Sequence, residues 1–582
     1  MDKPVWHYRV SMPNPQNHLF TVELEIQNWT QDILTLELPV WTPGSYLVRE
    51  YAKHLESFAA YSSDRALEWA KTAKNRWVIH RHDQDGSIKI SYQIYANDLS
   101  VRTNHLDHSH GYFNGAAMFM YSPDLAECSY EIEIVPPDPS WQIATALPQI
   151  SDRTFWAKDF DTLADSPFEI GIHQRHEFEV LGKPHTWVIW GQGNLEVERL
   201  IPDTTKIIQT TAQIFGGLPY DRYLFILHLS ANSYGGLEHC NCCSLIFPRL
   251  GFRGDSYLKF LHLVAHEFFH LWNVKRLRPQ ELVKIDYNRE NYTEQLWFAE
   301  GVTSYYDQLL LVRSGLVDQT YFLYKLGETI TKLQLTPGRQ VQSLAESSFD
   351  TWIKLYRPEP NSANSQISYY LKGELVSLLL DLHIRICSNH QVSLDQILVA
   401  LAQNCPDGYS HWQLQSQIQA QVRLASDADM DQDIWEFWQS YISGTEELDY
   451  DRYLNEFGLE LVNQPGEGLF TGLSLTSTNG FGVVKYVARD SPAERAGLNI
   501  GDEILAIAGI RVTGDQFNER LKLYGEQKTV ELSFFRQEVL SHTQLELLAS
   551  QSDRYLVQVV RNPTPQQAAH LEKWLQEPAV AM

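Results

Sequence analysis

Leu263-Val264-Ala265-His266-Glu267-Phe268-Phe269-His270-Leu271-Trp272 decides how this chain is read. Two histidines four positions apart lie on one face of an α-helix, so both imidazoles can hold a single metal ion. Glu267 flanks that face, where a carboxylate can take a proton from a water that the metal activates, the general-base role in metal-assisted hydrolysis. The same pattern also fits a buried helix that happens to contain two histidines. The neighbouring sequence has to separate the two readings.

A hydrolytic zinc site uses three protein ligands and keeps one position open. Downstream, Glu294-Gln295-Leu296-Trp297-Phe298-Ala299-Glu300-Gly301-Val302-Thr303-Ser304-Tyr305-Tyr306 is an aromatic-rich helical stretch with two carboxylates. Glu300 is the better third ligand, because it stands among apolar neighbours where an unpaired carboxylate is costly to bury and a metal compensates it. Upstream, the strand Tyr223 to Leu229 leads into Ser233-Tyr234-Gly235-Gly236-Leu237-Glu238-His239. Paired glycines allow close backbone approach to a ligand, although a turn with a solvated glutamate fits the same residues. The motif helix is expected to start near Asp255 or Ser256 as cap, to pack Leu258, Leu261, Phe268 and Leu271 inward, and to end near Trp272-Asn273. Lys275, Arg276 and Arg278 then satisfy the helix C-terminus or, alternatively, bind a substrate carboxylate. A further helix from about Ser365 to Ile386 begins with Tyr369 and Tyr370, which can donate a hydrogen bond to an oxyanion or simply edge the core.

At 582 residues the chain is long enough for roughly three or four domains. No run of about 18 apolar residues is present, so no membrane span is expected. The formal charge of −25 argues against nucleic acid, whose phosphates require a basic face. Cys240-Asn241-Cys242-Cys243 lacks the paired C-x-x-C spacing of thiolate zinc sites, and the six cysteines read as reduced structural thiols. The start, Met1 to His7, lacks a charged segment followed by an apolar one, which leads to the expectation of a cytoplasmic location.

Around the motif, the hydrophobic period changes along the chain. Phe20 to Ile26 and Ser87 to Tyr95 alternate apolar and polar residues as half-buried strands do, with turn punctuation such as Trp41-Thr42-Pro43-Gly44-Ser45 between them. A β-sandwich-like domain follows from this pattern. Asn104 to Asn114 carries His105, Asp107, His108 and His110; no spacing rule supports a second metal there, and a loop reaching over the active site is the expectation. From Asn194 the period becomes helical, with an amphipathic helix over Leu195 to Phe215, and further helices are expected over Asp395 to Asn404, Leu414 to Ala425 and Asp431 to Ser443. After Gln464-Pro465-Gly466-Glu467-Gly468 short strands return, with a hairpin over about Val530 to Leu548 and a last helix over Pro563 to Gln576.

His266 to Pro279, taken with Trp297-Phe298-Ala299-Glu300-Gly301, resembles the glycyl aminopeptidase family of zinc peptidases, and Trp41 to Tyr46 with the histidine segment resembles that family's N-terminal region. The resemblance runs along nearly the whole chain. It implies a multidomain α+β architecture: an N-terminal β-sandwich-like domain over 1–175, a thermolysin-like (gluzincin) zinc peptidase domain over 176–459 that is mixed α/β and then helical, a PDZ domain over 460–548, and a tail with a helix over 549–582. It implies one zinc per chain on His266, His270 and Glu300, with Glu267 as the base. Gly235 to His239 resembles the Gly-x-Met-Glu-Asn stretch of the larger gluzincin aminopeptidases, with Leu237 for Met and His239 for Asn. That likeness implies substrate binding by Gly235, Gly236, Glu238 and His239, with Glu238 anchoring the free amine. Tyr370-Leu371-Lys372-Gly373 resembles their Tyr-Glu-Lys-Gly, with Leu371 for Glu, and implies Tyr370 as transition-state donor. Residues 482 to 509 resemble a PDZ domain, whose carboxylate loop at Thr471-Gly472-Leu473-Ser474-Leu475 departs from Gly-Leu-Gly-Phe. Such a domain takes a peptide C-terminus as an added strand or serves a structural role.

The function expected is therefore that of a zinc-dependent aminopeptidase acting on peptides with a free N-terminus, with a preference for glycine or alanine implied by the family. The rivals are a zinc endopeptidase with a PDZ peptide-binding module and a catalytically inert PDZ adaptor.

Overall fold

The computed structural model describes residues 5–27, 29–62, 65–81, 87–125, 128–426, 431–464, 468–478, 480–525, 528–549 and 554–576. The Met1 to Pro4 start and the Pro465 to Glu467 boundary lie outside the described residues. The chain divides into two units, one running to Thr293 and including Leu398–Ser410, the other formed by Glu294–Ile397 and His411–Glu577.

In the first unit, period-two alternation builds β1 (Trp6–Ser11), β2 (Leu19–Ile26), β3 (Ile88–Tyr95) and β4 (Tyr130–Val135). β1 pairs antiparallel with β2 and parallel with β4, and β2 pairs antiparallel with β3, within an eight-stranded sheet. Phe20, Val22, Leu24 and Ile26 of β2 all face the core, as the alternation requires. That core also collects Trp6 and Tyr8 from β1, and Trp77, Phe113 and Phe168 from two smaller sheets that share it.

Next come β5 (Gln174–Val180), β6 (Lys183–Trp190), α1 (Val197–Phe215), β7 (Tyr223–Ser230), β8 (Gly235–Glu238), β9 (Cys242–Pro248) and α2 (Gly254–Phe269). Their sheet runs β5-β6-β7-β9-β8, parallel at its centre, with β8 antiparallel at one edge. β7 is buried from end to end, which is why Tyr223 to Leu227 is an unbroken apolar run rather than an alternating one. α1 ends at Gly216, whose positive φ and N–H to Ala212 O make the left-handed cap that glycine permits.

α2 corrects two local expectations. Its N-cap is Arg253, without a side-chain cap, and Asp255 acts instead as a first-turn charge at the helix N-terminus. Leu258 is only half-buried; Tyr257, Phe260, Leu261, Val264 and Phe268 form the apolar stripe at helical spacing. The histidine segment is also partly strand rather than all loop, with His105–Leu106 and His110–Phe113 paired. His110 lies on the buried strand His110–Phe113, with Nδ1 3.1 Å from one oxygen of Glu169, while His228 of β7 brings Nε2 2.9 Å from the other. Burial alone would raise the pKa of Glu169, but the two imidazoles outweigh it and hold the carboxyl well below its usual range.

In the second unit a π-helical turn, Trp297–Gly301, opens α3 (Val302–Arg313). The helix expected from Ser365 begins later, as α4 (Leu371–Cys387), after a separate turn at Ser362–Ser365. Tertiary contacts straighten the intervening residues: Ile367 N–H donates to Gln342 Oε1 and Ser347 Oγ donates to Ile367 O. The π turn and α4 approach backbone to backbone, since a Cβ on Gly301 would lie 2.5 Å from Gly373 Cα.

The PDZ sheet runs β10 (Leu473–Thr478), β11 (Phe481–Val487), β12 (Glu503–Ile507), β13 (Thr529–Arg536) and β14 (Val539–Glu546), over a core that includes Val484, Ile504, Phe517, Leu532 and Leu545. The tail is docked rather than loose: α5 (Pro565–Gln576) buries Leu571 and Trp574, and Trp574 Nε1 donates to Tyr305 OH on α3. Among the described residues no helix is long and apolar enough to cross a membrane.

Candidate active site

α2 brings His266 and His270 onto one face with their Nε2 atoms 3.1 Å apart. Two nitrogens on one tetrahedral ion with bonds of about 2.0–2.1 Å would be separated by about 3.3 Å, so the pair fits zinc. His270 closes the helix as its C-cap, and its Nδ1 lies 2.7 Å from Asn273 O. A carbonyl only accepts, so Nδ1 carries the proton and Nε2 is the nitrogen left with a lone pair that a metal could take.

β8 runs along this face. A Cβ on Gly236 would fall 2.0 Å from Glu267 Oε1, so the strand passes the carboxylate at a distance that only glycine allows. Glu238, two residues on, projects to the same side. Glu238, Glu267 and His270 are all buried, and each contributes a ligand-capable atom within 4.8 Å of the others. Glu238 Oε1 has no hydrogen-bond partner among the described residues. A buried carboxylate oxygen in that condition is a natural seat for a cation. The Trp41 to Tyr46 segment closes on it: Gly44, at φ +85°, lies where a Cβ would be 2.5 Å from Glu238 Oε1.

His239 takes another direction. Its Nδ1 lies 3.1 Å from Asp165 Oδ1, which also accepts from Lys275 Nζ at 2.8 Å, while Asp165 Oδ2 accepts from Cys240 N–H. Burial works against the charge on Asp165, but Lys275 and His239 together keep its carboxyl well below the usual range. Arg276 and Arg278 donate to the carbonyls of Leu271, Val274 and Lys275, the helix-end reading of the basic cluster, whereas Lys275 belongs to the Asp165 pair. A cleft of about 290 Å³ borders this group, lined in part by Trp41, Tyr46, Glu238, Lys275 and Tyr287. Asp165 stands 110 residues from Lys275, and no local pattern marks it. Burial pushes the Cys240 thiol up to about 11 and holds those of Cys242 and Cys243 well above their ordinary value, in keeping with inert thiols.

In the second unit Glu300 is buried on the π turn, a helical irregularity frequent at functional positions. Tyr370 is the N-cap of α4, with its hydroxyl 3.2 Å from that of Tyr356. Burial, and next the negative charge of Glu300, push the Tyr370 phenol well above its ordinary range, so it stays protonated and able to donate.

Three family profiles match the chain: the peptidase M61 N-terminal domain over residues 7–172, the M61 glycyl aminopeptidase over 259–376, and a PDZ domain over 483–529. Among solved structures, an aminopeptidase N family protein from Idiomarina loihiensis is 31% identical, covers 98% of this chain and 100% of its own, and superposes with a TM-score of 0.90. An M1 zinc metallopeptidase from Deinococcus radiodurans is 13% identical, covers 77% of this chain and 95% of its own, with a TM-score of 0.49. No curated protein sequence matches. The chain therefore belongs to the glycyl aminopeptidase family M61 and is a zinc-dependent aminopeptidase with a PDZ domain.

Proposed function

We propose that one zinc per chain is held by His266, His270 and Glu300, and that Glu267 is the general base for hydrolysis of the first peptide bond of a substrate anchored by its amine on Glu238. The observation that carries this reading is the grouping of Glu238, Glu267 and His270 within 4.8 Å beside a strand edge. Zinc held there would supply a Lewis acid for the scissile carbonyl and lower the pKa of water. Glu267 removes a proton from the attacking water and returns it to the leaving amine. Glu238 pairs with the substrate ammonium, which places the bond next to the N-terminus over Glu267. Gly235 and Gly236 lie on β8, the edge strand of its sheet, along which the substrate backbone can run as an added strand. Tyr370, kept protonated, donates to the developing oxyanion.

Family membership supports a preference for N-terminal glycine or alanine. For the PDZ domain, binding of a peptide C-terminus is supported by β10, which is an edge strand of its sheet. A cytoplasmic location is supported by six cysteines that form no disulfide.

The test is Glu267→Gln. Loss of the base lowers the rate by about 10²–10⁴ while zinc content is unchanged; a folded, zinc-loaded variant with full activity refutes the assignment. Equal cleavage of a peptide and its N-acetylated form would favour an endopeptidase instead.

A further inference from the structure

We propose that Arg102 receives the C-terminal carboxylate of the substrate, so that the site is built for dipeptides. This rests on Glu238 as the amine anchor.

Arg102 reaches β8 from the segment between β3 and the His110–Phe113 strand. Its NH2 donates to Gly236 O at 2.9 Å, and its NH1 lies 3.3 Å from where a Cβ on Gly235 would be. The side chain is half-buried, its Nε has no hydrogen-bond partner, and among the described residues no carboxylate lies within ion-pair distance of it. A partly desolvated guanidinium with donors to spare and no counter-charge is a receptor for an anion. Its position is secured from both sides. Val101 is buried with Leu237 and Ile246 beneath the strand, and Tyr51 OH donates to Arg102 O. Gly235 contributes no side chain, so the space beside the guanidinium is not filled from the strand.

The register gives the ligand its length. Antiparallel strands advance about 3.4 Å per residue, so Gly236 lies about 7 Å along β8 from Glu238. An extended dipeptide spans about the same distance from its amine to its carboxylate. With the amine on Glu238, the carboxylate of a dipeptide arrives beside Gly236 O and the Arg102 guanidinium. A longer peptide presents an uncharged amide there.

Glycyl-alanine, its C-terminal amide and its N-acetyl form separate the possibilities, with kcat/KM measured for the wild type, Arg102→Gln and Arg102→Lys, and binding of acid and amide measured by calorimetry on Glu267→Gln protein. The wild type is expected to favour the acid over the amide by about 10–100-fold, the worth of a charge-assisted pair. Arg102→Gln should bring that ratio close to one, and Arg102→Lys should fall between, keeping the charge without the fork. The ratio is the informative readout, because a displaced β8 slows both substrates together. A wild type with no preference for the acid, or an Arg102→Gln protein that keeps the wild-type ratio, overturns the carboxylate subsite. Cleavage of the N-acetyl form as fast as the free peptide overturns the Glu238 anchor, and the register with it.

Discussion

Gly236→Ala tests the geometry at its tightest point. The added Cβ would meet Glu267 Oε1 at 2.0 Å, Cδ at 2.3 Å and Cγ at 2.5 Å. Carbon–oxygen contacts settle near about 3.3 Å, so the carboxylate must retreat by about 1.3 Å. Misplacement of about 1 Å costs about 10²-fold, and complete loss of a general base about 10²–10⁴-fold. A fall in kcat/KM of about 10²–10³-fold is therefore expected, about 3–4 kcal/mol of transition-state stabilisation. Stability should change little, because Gly236 does not have a positive φ and Glu267 can move as a side chain. Zinc should remain, since the clash does not involve His266 or His270. Steady-state kinetics on a glycyl reporter, metal analysis and a thermal melt read these three quantities. A folded, zinc-loaded Gly236→Ala enzyme with wild-type kcat/KM would show that β8 does not hold Glu267 in place.

Two further outcomes concern α4. In Gly373→Ala the new Cβ would lie 3.0 Å from Gly301 Cα and from Trp297 O, and backbone cannot swing aside, so a loss of about 1–3 kcal/mol is expected on chemical denaturation; unchanged stability would mean that the two segments are not packed this closely. Lys372 is buried, its Nζ has no hydrogen-bond partner among the described residues, and burial lowers its pKa to about 8. Because the unfolded chain keeps this proton up to about pH 10.4, the destabilisation is full below pH 8 and is relieved as pH rises between the two values. Lys372→Met should therefore stabilise the fold by on the order of 3 kcal/mol at neutral pH and by much less near pH 10; a gain that does not depend on pH would contradict the assignment.

Local spacing accounts for a definite part of this protein. The four-residue separation of His266 and His270 places both imidazoles on one helix face, the alternation in Phe20 to Ile26 specifies which side of β2 is buried, and Gly216 marks where α1 stops. Each of these depends on a period of two or 3.6 residues and on glycine's access to positive φ, which a short stretch of chain carries by itself. Glu300 could be chosen over Glu294 from its apolar neighbours, but its π turn could not. Other features depend on what the folded chain brings alongside. Gly236 against Glu267, Gly44 against Glu238, Asp165 with Lys275, and His110 with Glu169 and His228 join residues far apart in sequence. Gln342 and Ser347 likewise take Ile367 out of a helix that its own neighbourhood favours. The sequence alone determined which helix carries His266 and His270 on one face. Tertiary packing decided which carboxylates and glycines stand beside that face, because a long-range contact depends on how sheets and helices stack and leaves no period in the sequence to read.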